Sequence, residues 1–423
     1  MIDRKIQPEL VNIERIQWVK PLVFDVSAHM KLFWMKEVQN ETSRLELNFD
    51  AGLIREGEGI PQIVQSLLFS GTKVKSAVQI HKSIDALGGY FSSSVSDEGA
   101  SVTIYALREN LFSIAKIIKD AIQNLAFVES EVEETLQQLA STVRVNKEKV
   151  SMISRRAVRK ELFQNIPEYA FISESEYYEK ADILRYKRFL NQHYLQGLRS
   201  ISVVGNVEQD DIDAIIDLFG SWTVEEKPSF QKNLDYSVEN GPKRIHIKKE
   251  NALQTSVRLA IPFVNRLHPD YAKLQILITV LGDYFGSRLM ANIREDKGYT
   301  YGIGALNVEY REFGFFTIAT EVGTEVAEAT INEVEFEIKR LQNELIPDDE
   351  LNLVRNYLLG QSLKSADGPY AMLDLYMSAY FYGLDYSYYD HLLDAISHVT
   401  SDDLKALAQK YLKWEDFIIV TAG

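Results

Sequence analysis

The sequence predicts an α+β fold of two homologous domains, each a mostly antiparallel sheet with helices packed on one face. Three observations predict it. The chain has 423 residues, long for one core and suited to two domains of roughly 200 residues. Apolar alternation of period two gives way repeatedly to helical spacing. The order of these segments in the first half then recurs in the second.

Leu45, Leu47 and Phe49 alternate with Arg44, Glu46, Asn48 and Asp50, the pattern of a half-buried strand. A helix follows around Ile60 to Phe69, closed by Gly71, and Gly88-Gly89 marks a turn. Val102, Ile104 and Ala106 alternate as a strand, and Leu111, Ala115, Ile118 and Ile122 fall on one helix face. A long polar helix is predicted from about Glu129 to Lys149, and Ile201 to Gly205 closes the half before a short helix, Asp210 to Phe219. The acidic start of the long helix, Glu129 to Glu134, suits the positive end of a helix dipole.

The second half repeats this order. A shift of 214 lays Leu259, Ile261 and Phe263 over Leu45, Leu47 and Phe49. A shift of 217 lays Tyr411-Leu412 over Tyr194-Leu195, and Ile418 and Val420 over Ile201 and Val203. Between the halves, a polar stretch with Pro228 and Pro242 reads as a linker. The predicted domains are therefore residues 1–221 and 243–423, joined by 222–242.

Composition narrows the function. The 61 acidic residues outnumber the 46 basic ones, a net charge of −15, which argues against nucleic acid or anionic membrane as partner. No run approaches the ~20 apolar residues of a membrane span. Met1 to Lys20 carries acidic residues and no apolar run, which predicts no secretory signal and a cytoplasmic protein. The chain has no cysteine, so thiolate chemistry and disulfides are excluded. There is no Gly-x-Ser-x-Gly elbow and no Gly-rich phosphate loop.

Gly59-Ile60-Pro61-Gln62-Ile63-Val64-Gln65-Ser66-Leu67-Leu68-Phe69-Ser70-Gly71-Thr72, followed by Ile84-Asp85-Ala86-Leu87-Gly88-Gly89, resembles the signature helix and turn of the pitrilysin/insulinase peptidase family. Phe285-Gly286-Ser287-Arg288-Leu289, with Ile293-Arg294-Glu295-Asp296-Lys297-Gly298-Tyr299-Thr300-Tyr301-Gly302, resembles that family's C-domain signature. The resemblance covers nearly the whole chain. It implies zinc chemistry built on H-x-x-E-H, in which two His on one helix face hold zinc and the Glu is general base. Here those positions read Gln62, Gln65 and Ser66. The family's third ligand, a Glu on a later helix, falls at Thr142. Amides and hydroxyls are poor zinc ligands, and an amide cannot act as base near neutral pH. The seven His residues form no H-x-x-x-H or H-E-x-x-H arrangement. No metal is expected in this chain.

The resemblance implies a second set of residues, an Arg and a Tyr that reach from the C-terminal domain to the zinc site. They match Arg294 and Tyr301. Arg can hold a peptide carbonyl or carboxylate with its fork of donors, and Tyr can donate to the oxyanion. Arg294 is expected to end a helix, Asp296-Lys297-Gly298 to turn, and Tyr301 to enter the next strand, so that both face one cavity. The R-x6-Y spacing alone carries nothing in a chain with 22 Tyr, and its weight comes from the surrounding motif. The family more often has Leu at Tyr299, a change that touches packing. Loss of the zinc residues with retention of Arg and Tyr implies the non-zinc subunit of a heterodimeric zinc endopeptidase. Such a chain is inactive alone, serves a zinc-bearing paralogous partner, and acts on a peptide substrate. Tyr90 to Ser96 matches the segment where active members take substrate as an added strand. The competing reading is a non-enzymatic scaffold or peptide-binding protein of the same fold. Whether the isolated chain forms a homodimer stays open at this stage. So does the aromatic run Tyr370 to Tyr389, read equally as a partner interface or a helical core.

Overall fold

The computed structural model describes residues 15–222 and 243–423. The segment read as linker lies outside them except for Trp222, which is buried against Phe49 and Phe219 in the first core. Each half builds one sheet. The first holds β1 (Leu22–Ser27), β2 (Met30–Lys36), β3 (Thr42–Phe49), β4 (Tyr90–Val95), β5 (Ala100–Leu107) and β6 (Leu198–Gly205), in the order β1-β2-β6-β3-β5-β4. The second holds β7 (Lys243–Ile247), β8 (Thr255–Phe263), β9 (Ile303–Glu309), β10 (Gly314–Val322) and β11 (Ile418–Ala422), in the order β7-β11-β8-β10-β9. Only β2–β6 and its counterpart β7–β11 run parallel. Apart from the additional β1, the two sheets repeat strand for strand.

The alternation seen in the sequence explains β3. Leu45, Leu47 and Phe49 enter the first core with Ile60, Ile63, Val64 and Leu67 of the helix Ile60–Leu67. Leu259, Ile261 and Phe263 do the same in the second core with Leu274, Leu277 and Leu281 of the helix Tyr271–Gly282. The closing strand requires a correction. The ladders pair Leu45 with Val203 and Leu259 with Ile419, so the offset there is 216, not 217. Ile201 and Val203 face their own core, whereas Ile418 and Val420 face the opposite side of their sheet. A one-residue slip exchanges the faces of a strand.

That opposite side is where the two halves join. The helix Val150–Leu162 belongs to the first half but covers the second sheet. Its Val158 and Leu162, with Phe163, pack on Ala260, Phe313, Ile418 and Val420. In return, the helix Gly368–Tyr380 of the second half covers the first sheet, placing Leu373 and Met377 on Phe33, Met35 and Val204. Each sheet thus has its own helices on one face and a helix from the other half on the other. The aromatic run is resolved by this exchange. Tyr376 and Tyr380 lie against Phe33, and Tyr386 stacks on Trp18 at 4.6 Å.

The turn between β4 and β5 adds a polar clasp. Arg159 grips Asp97 with two bonds of 3.0 and 2.9 Å, and Tyr310 of the second half donates to the same carboxylate at 2.8 Å. Glu98 accepts from the Tyr169 hydroxyl at 2.7 Å and from the Arg311 amide. Gly52 is needed beneath this turn, because a Cβ there would lie 2.4 Å from the Asp97 carbonyl oxygen.

Candidate functional site

The helix Ile60–Leu67 starts at Gly59, whose φ of +73° is left-handed and whose missing Cβ leaves room for the Tyr178 ring. Pro61 suits the first turn. The apolar positions go to the core, and Gln62, Gln65 and Ser66 are left to one side. Gln62 is half-buried and donates to Ser173 Oγ at 3.3 Å. Gln65 is 7% exposed and accepts a hydrogen bond from the Tyr194 hydroxyl. Tyr194 lies on a π-helical turn, Leu190–Leu195, and burial pushes its phenol well above the usual range, so it remains a donor. Ser66 is exposed. Thr142 is exposed on the helix Glu129–Lys147 and donates back to the Gln138 carbonyl at 2.9 Å.

This donor set does not fit zinc. It offers two amides and two hydroxyls, and the best-placed oxygen, Gln65 Oε1, is already engaged by Tyr194. Among the described residues, no three His, Cys, Asp or Glu side chains group as metal ligands would. The buried Gln62 Oε1 and Gln65 Nε2 have no protein partner, a polarity that a water would satisfy. Gln65 and Ser66 instead open on a cavity of about 690 Å³, shared with His81, Glu131 and residues Tyr90 to Ser93 of β4. β4 is the edge of its sheet and pairs only with β5. Its outer edge has no strand partner, and Tyr90 to Ser93 line the same cavity as Gln65 and Ser66.

Arg294 lies on a second π-helical turn, Met290–Asp296, where Lys297 N–H reaches back five residues to the Asn292 carbonyl. Single π turns are frequent at functional sites. The Arg294 guanidinium stacks 4.5 Å from the centroid of the exposed Phe285 ring and pairs with Glu295 at 3.2 Å. Gly298, with φ +67°, turns the chain. Thr300 then pins the loop, donating to the Glu321 carbonyl at 2.9 Å and accepting from Thr320 at 2.8 Å. Tyr301 stands out from this pinned loop at 95% exposure, two residues before β9 rather than within it. It borders a cavity with Arg258 and Thr300, and Arg294 is not among the residues lining that cavity. Tyr299 packs against the second core, as a residue replacing Leu would.

Sequence reasoning did not mark Arg258 or the Asp97–Glu98 clasp. Arg258 stands among apolar residues in β8 and reads as one polar outward position. The exchanged helix that packs on β8 leaves it half-buried.

The helix with Gln62, Gln65 and Ser66 and the loop with Arg294 and Tyr301 lie on the two halves of one doubled α+β frame. Residues 33–172 match the family described as insulinase (peptidase family M16), and residues 185–358 match the peptidase M16 inactive domain. The chain belongs to this pitrilysin/insulinase peptidase family. An uncharacterized zinc protease of Rickettsia felis is 25% identical over 363 residues, covering 84% of this chain and 85% of its own length. One of Bacillus subtilis is 22% identical over 313 residues, covering 74% and 75%. Among solved structures, the peptidase M16 inactive domain from Pseudomonas fluorescens superposes with a TM-score of 0.85 at 22% identity, covering 96% of this chain and 98% of that one. A chain of Complex III2 from Candida albicans gives 0.72 at 15% identity, covering 97% and 96%. Both structural likenesses are likenesses of fold. No described helix is long and apolar enough to cross a membrane.

Proposed function

We propose that this chain is the non-zinc subunit of a heterodimeric zinc endopeptidase, pairing with a zinc-bearing paralogue. In this reading Arg294 holds a carbonyl or carboxylate of the bound peptide, and Tyr301 donates to the oxyanion formed in the partner's site. One contrast carries it: at the zinc positions the Gln65 oxygen and the Thr142 hydroxyl are engaged by their own neighbours, while Tyr301 is almost fully exposed on a loop fixed by Thr300. An exposed phenol on a rigid loop is arranged to meet something outside its own domain. The chain is inactive alone and cytoplasmic, and its own Gln65 leaves it without a general base.

A second reading, a scaffold without catalysis, draws support from the likeness to a chain of the Complex III2 structure. The two separate on one experiment. The chain is used as bait in its native source, and the eluate is assayed for peptidase activity with and without a chelator. A co-purifying relative carrying H-x-x-E-H and chelator-sensitive cleavage establishes the subunit. An inactive homodimer or larger assembly establishes the scaffold.

A further inference from the structure

The repeat places Arg44 of β3 and Arg258 of β8 at equivalent positions, each under the helix donated by the other half. Arg44 meets a carboxylate there, Asp374 of the helix Gly368–Tyr380. Arg258 meets no such group. The helix over it, Val150–Leu162, brings Ser151, Ser154 and a further cation, Arg155. The Arg258 Nε is buried with no hydrogen-bond partner. Burial first, then the repulsion of Arg155, holds its pKa below the ordinary guanidinium value, with only Glu321 opposing. A half-buried cation without a bonded counter-charge bears part of its desolvation cost uncompensated. This one faces a cavity of about 360 Å³ that also exposes Ser151, Gln254, Thr300 and Tyr301.

We propose that this cavity binds a carboxylate of the peptide, with Arg258 as the clamp and Tyr301 at the mouth. The inference rests on the subunit reading only in taking the Tyr301 face as the peptide-facing one. Glu321 on the wall selects the class of anion: a carboxylate carries one charge, whereas a phosphate would bring nearly two against that acid. Arg suits the planar carboxylate through two parallel bonds. The source is an acidic side chain or the peptide's C-terminus.

Fluorescence anisotropy with the full chain tests it. The probes are decapeptides of one sequence, labelled at the N-terminus, in four forms: internal Glu or Gln, each with a C-terminal acid or amide. The wild type is expected to bind one carboxylate form about tenfold more tightly than its neutral counterpart, the effect of a charge-assisted bond. The form preferred identifies the source. Arg258→Met is expected to remove the preference while melting no lower than the wild type. Arg258→Lys, which keeps the charge, retains a reduced preference and serves if the Met variant fails to fold. Equal binding of all four peptides, an unchanged preference in Arg258→Met, or displacement of the peptide by millimolar inorganic phosphate would each overturn the proposal. No partner or turnover enters this measurement. A failed reconstitution therefore counts against the subunit reading alone, and a lost preference against this site alone.

Discussion

Arg44, at the centre of the first sheet, holds Asp374 of the second half with both terminal nitrogens, Nη1 reaching Oδ2 at 3.0 Å. The arginine side chain is 8% exposed and the aspartate 56%. Removing the carboxylate leaves a buried cation without its partner, while the solvent beside Asp374 moderates the loss. Asp374→Ala is expected to cost about 2 kcal/mol, read as a shift in the urea midpoint. A change under about 0.5 kcal/mol, the range of ordinary surface substitutions, would show that the pair contributes nothing to the joint.

Phe163 is the apolar counterpart of that joint. It is 1% exposed and meets Tyr169, Tyr310, Phe313 and Phe315 within 6 Å, three of them from the second half. Phe163→Ala is expected to destabilise by about 3–5 kcal/mol. The loss should come with faster proteolysis between the halves than within either core, because the cavity opens at their junction. Uniform cleavage along the chain would contradict that.

β3 and the signature helix are legible because their apolar residues are confined to one face, which imposes a period. Leu45, Leu47 and Phe49 declare β3 without help from the rest of the chain. The closing strand was misregistered by one residue for the opposite reason. Ile418, Ile419 and Val420 are all buried, since the second sheet is covered on both faces, and a strand buried twice has no alternation to read. The exchanged helices were invisible for a related reason. Val150–Leu162 carries Arg155, Arg156 and Arg159, the composition of a surface helix, and its apolar contacts lie about a hundred residues away in Ala260 and beyond. At the site, the motif located Gln62, Gln65 and Ser66. It could not supply Ser173 and Tyr194, which are 111 and 129 residues distant from Gln62 and Gln65.

Glu98 links the clasp to pH. Burial raises its pKa, and hydrogen bonds from Tyr169 and the charge of Arg311 oppose this only in part, with Asp97 adding to the rise. The folded chain therefore holds this proton to higher pH than the unfolded chain does. The contribution to stability is fully present below the unfolded value of about 4.3 and is lost as pH climbs through the raised folded value. Glu98→Gln keeps an oxygen for Tyr169 and carries no charge. Urea midpoints measured upward from pH 4 should fall in the wild type relative to the variant, which at neutral pH is as stable or more so. Parallel curves for the two proteins would remove Glu98 from the account.

The degenerate helix can be asked whether it still has the shape of a metal site. The helix Ile60–Leu67 packs on the helix Glu129–Lys147, as a ligand set drawn from both requires. The fourfold variant Gln62→His, Gln65→Glu, Ser66→His and Thr142→Glu is expected to retain one zinc per chain after dialysis, by emission spectrometry. The wild type, treated alike, should retain none. If the fourfold variant also emerges empty, Thr142 is not the position of the distant ligand.

Arg294 and Tyr301 give the sharpest separation between a catalytic and a structural role. Tyr301 is 95% exposed, so Tyr301→Phe removes a hydroxyl that the folded chain does not use, and its melting temperature should equal that of the wild type. In the reconstituted enzyme the same change removes a donor to the oxyanion, and kcat should fall by about 10²–10³ with KM little altered. Arg294→Ala strips a cation from the Phe285 ring and from Glu295, both exposed contacts of small worth. It should leave stability nearly unchanged and raise KM as well as lower kcat, because Arg294 is assigned to hold the peptide before the chemistry begins. Full activity of the mixed enzyme with either variant would withdraw that residue's role while leaving the pairing of the subunits intact.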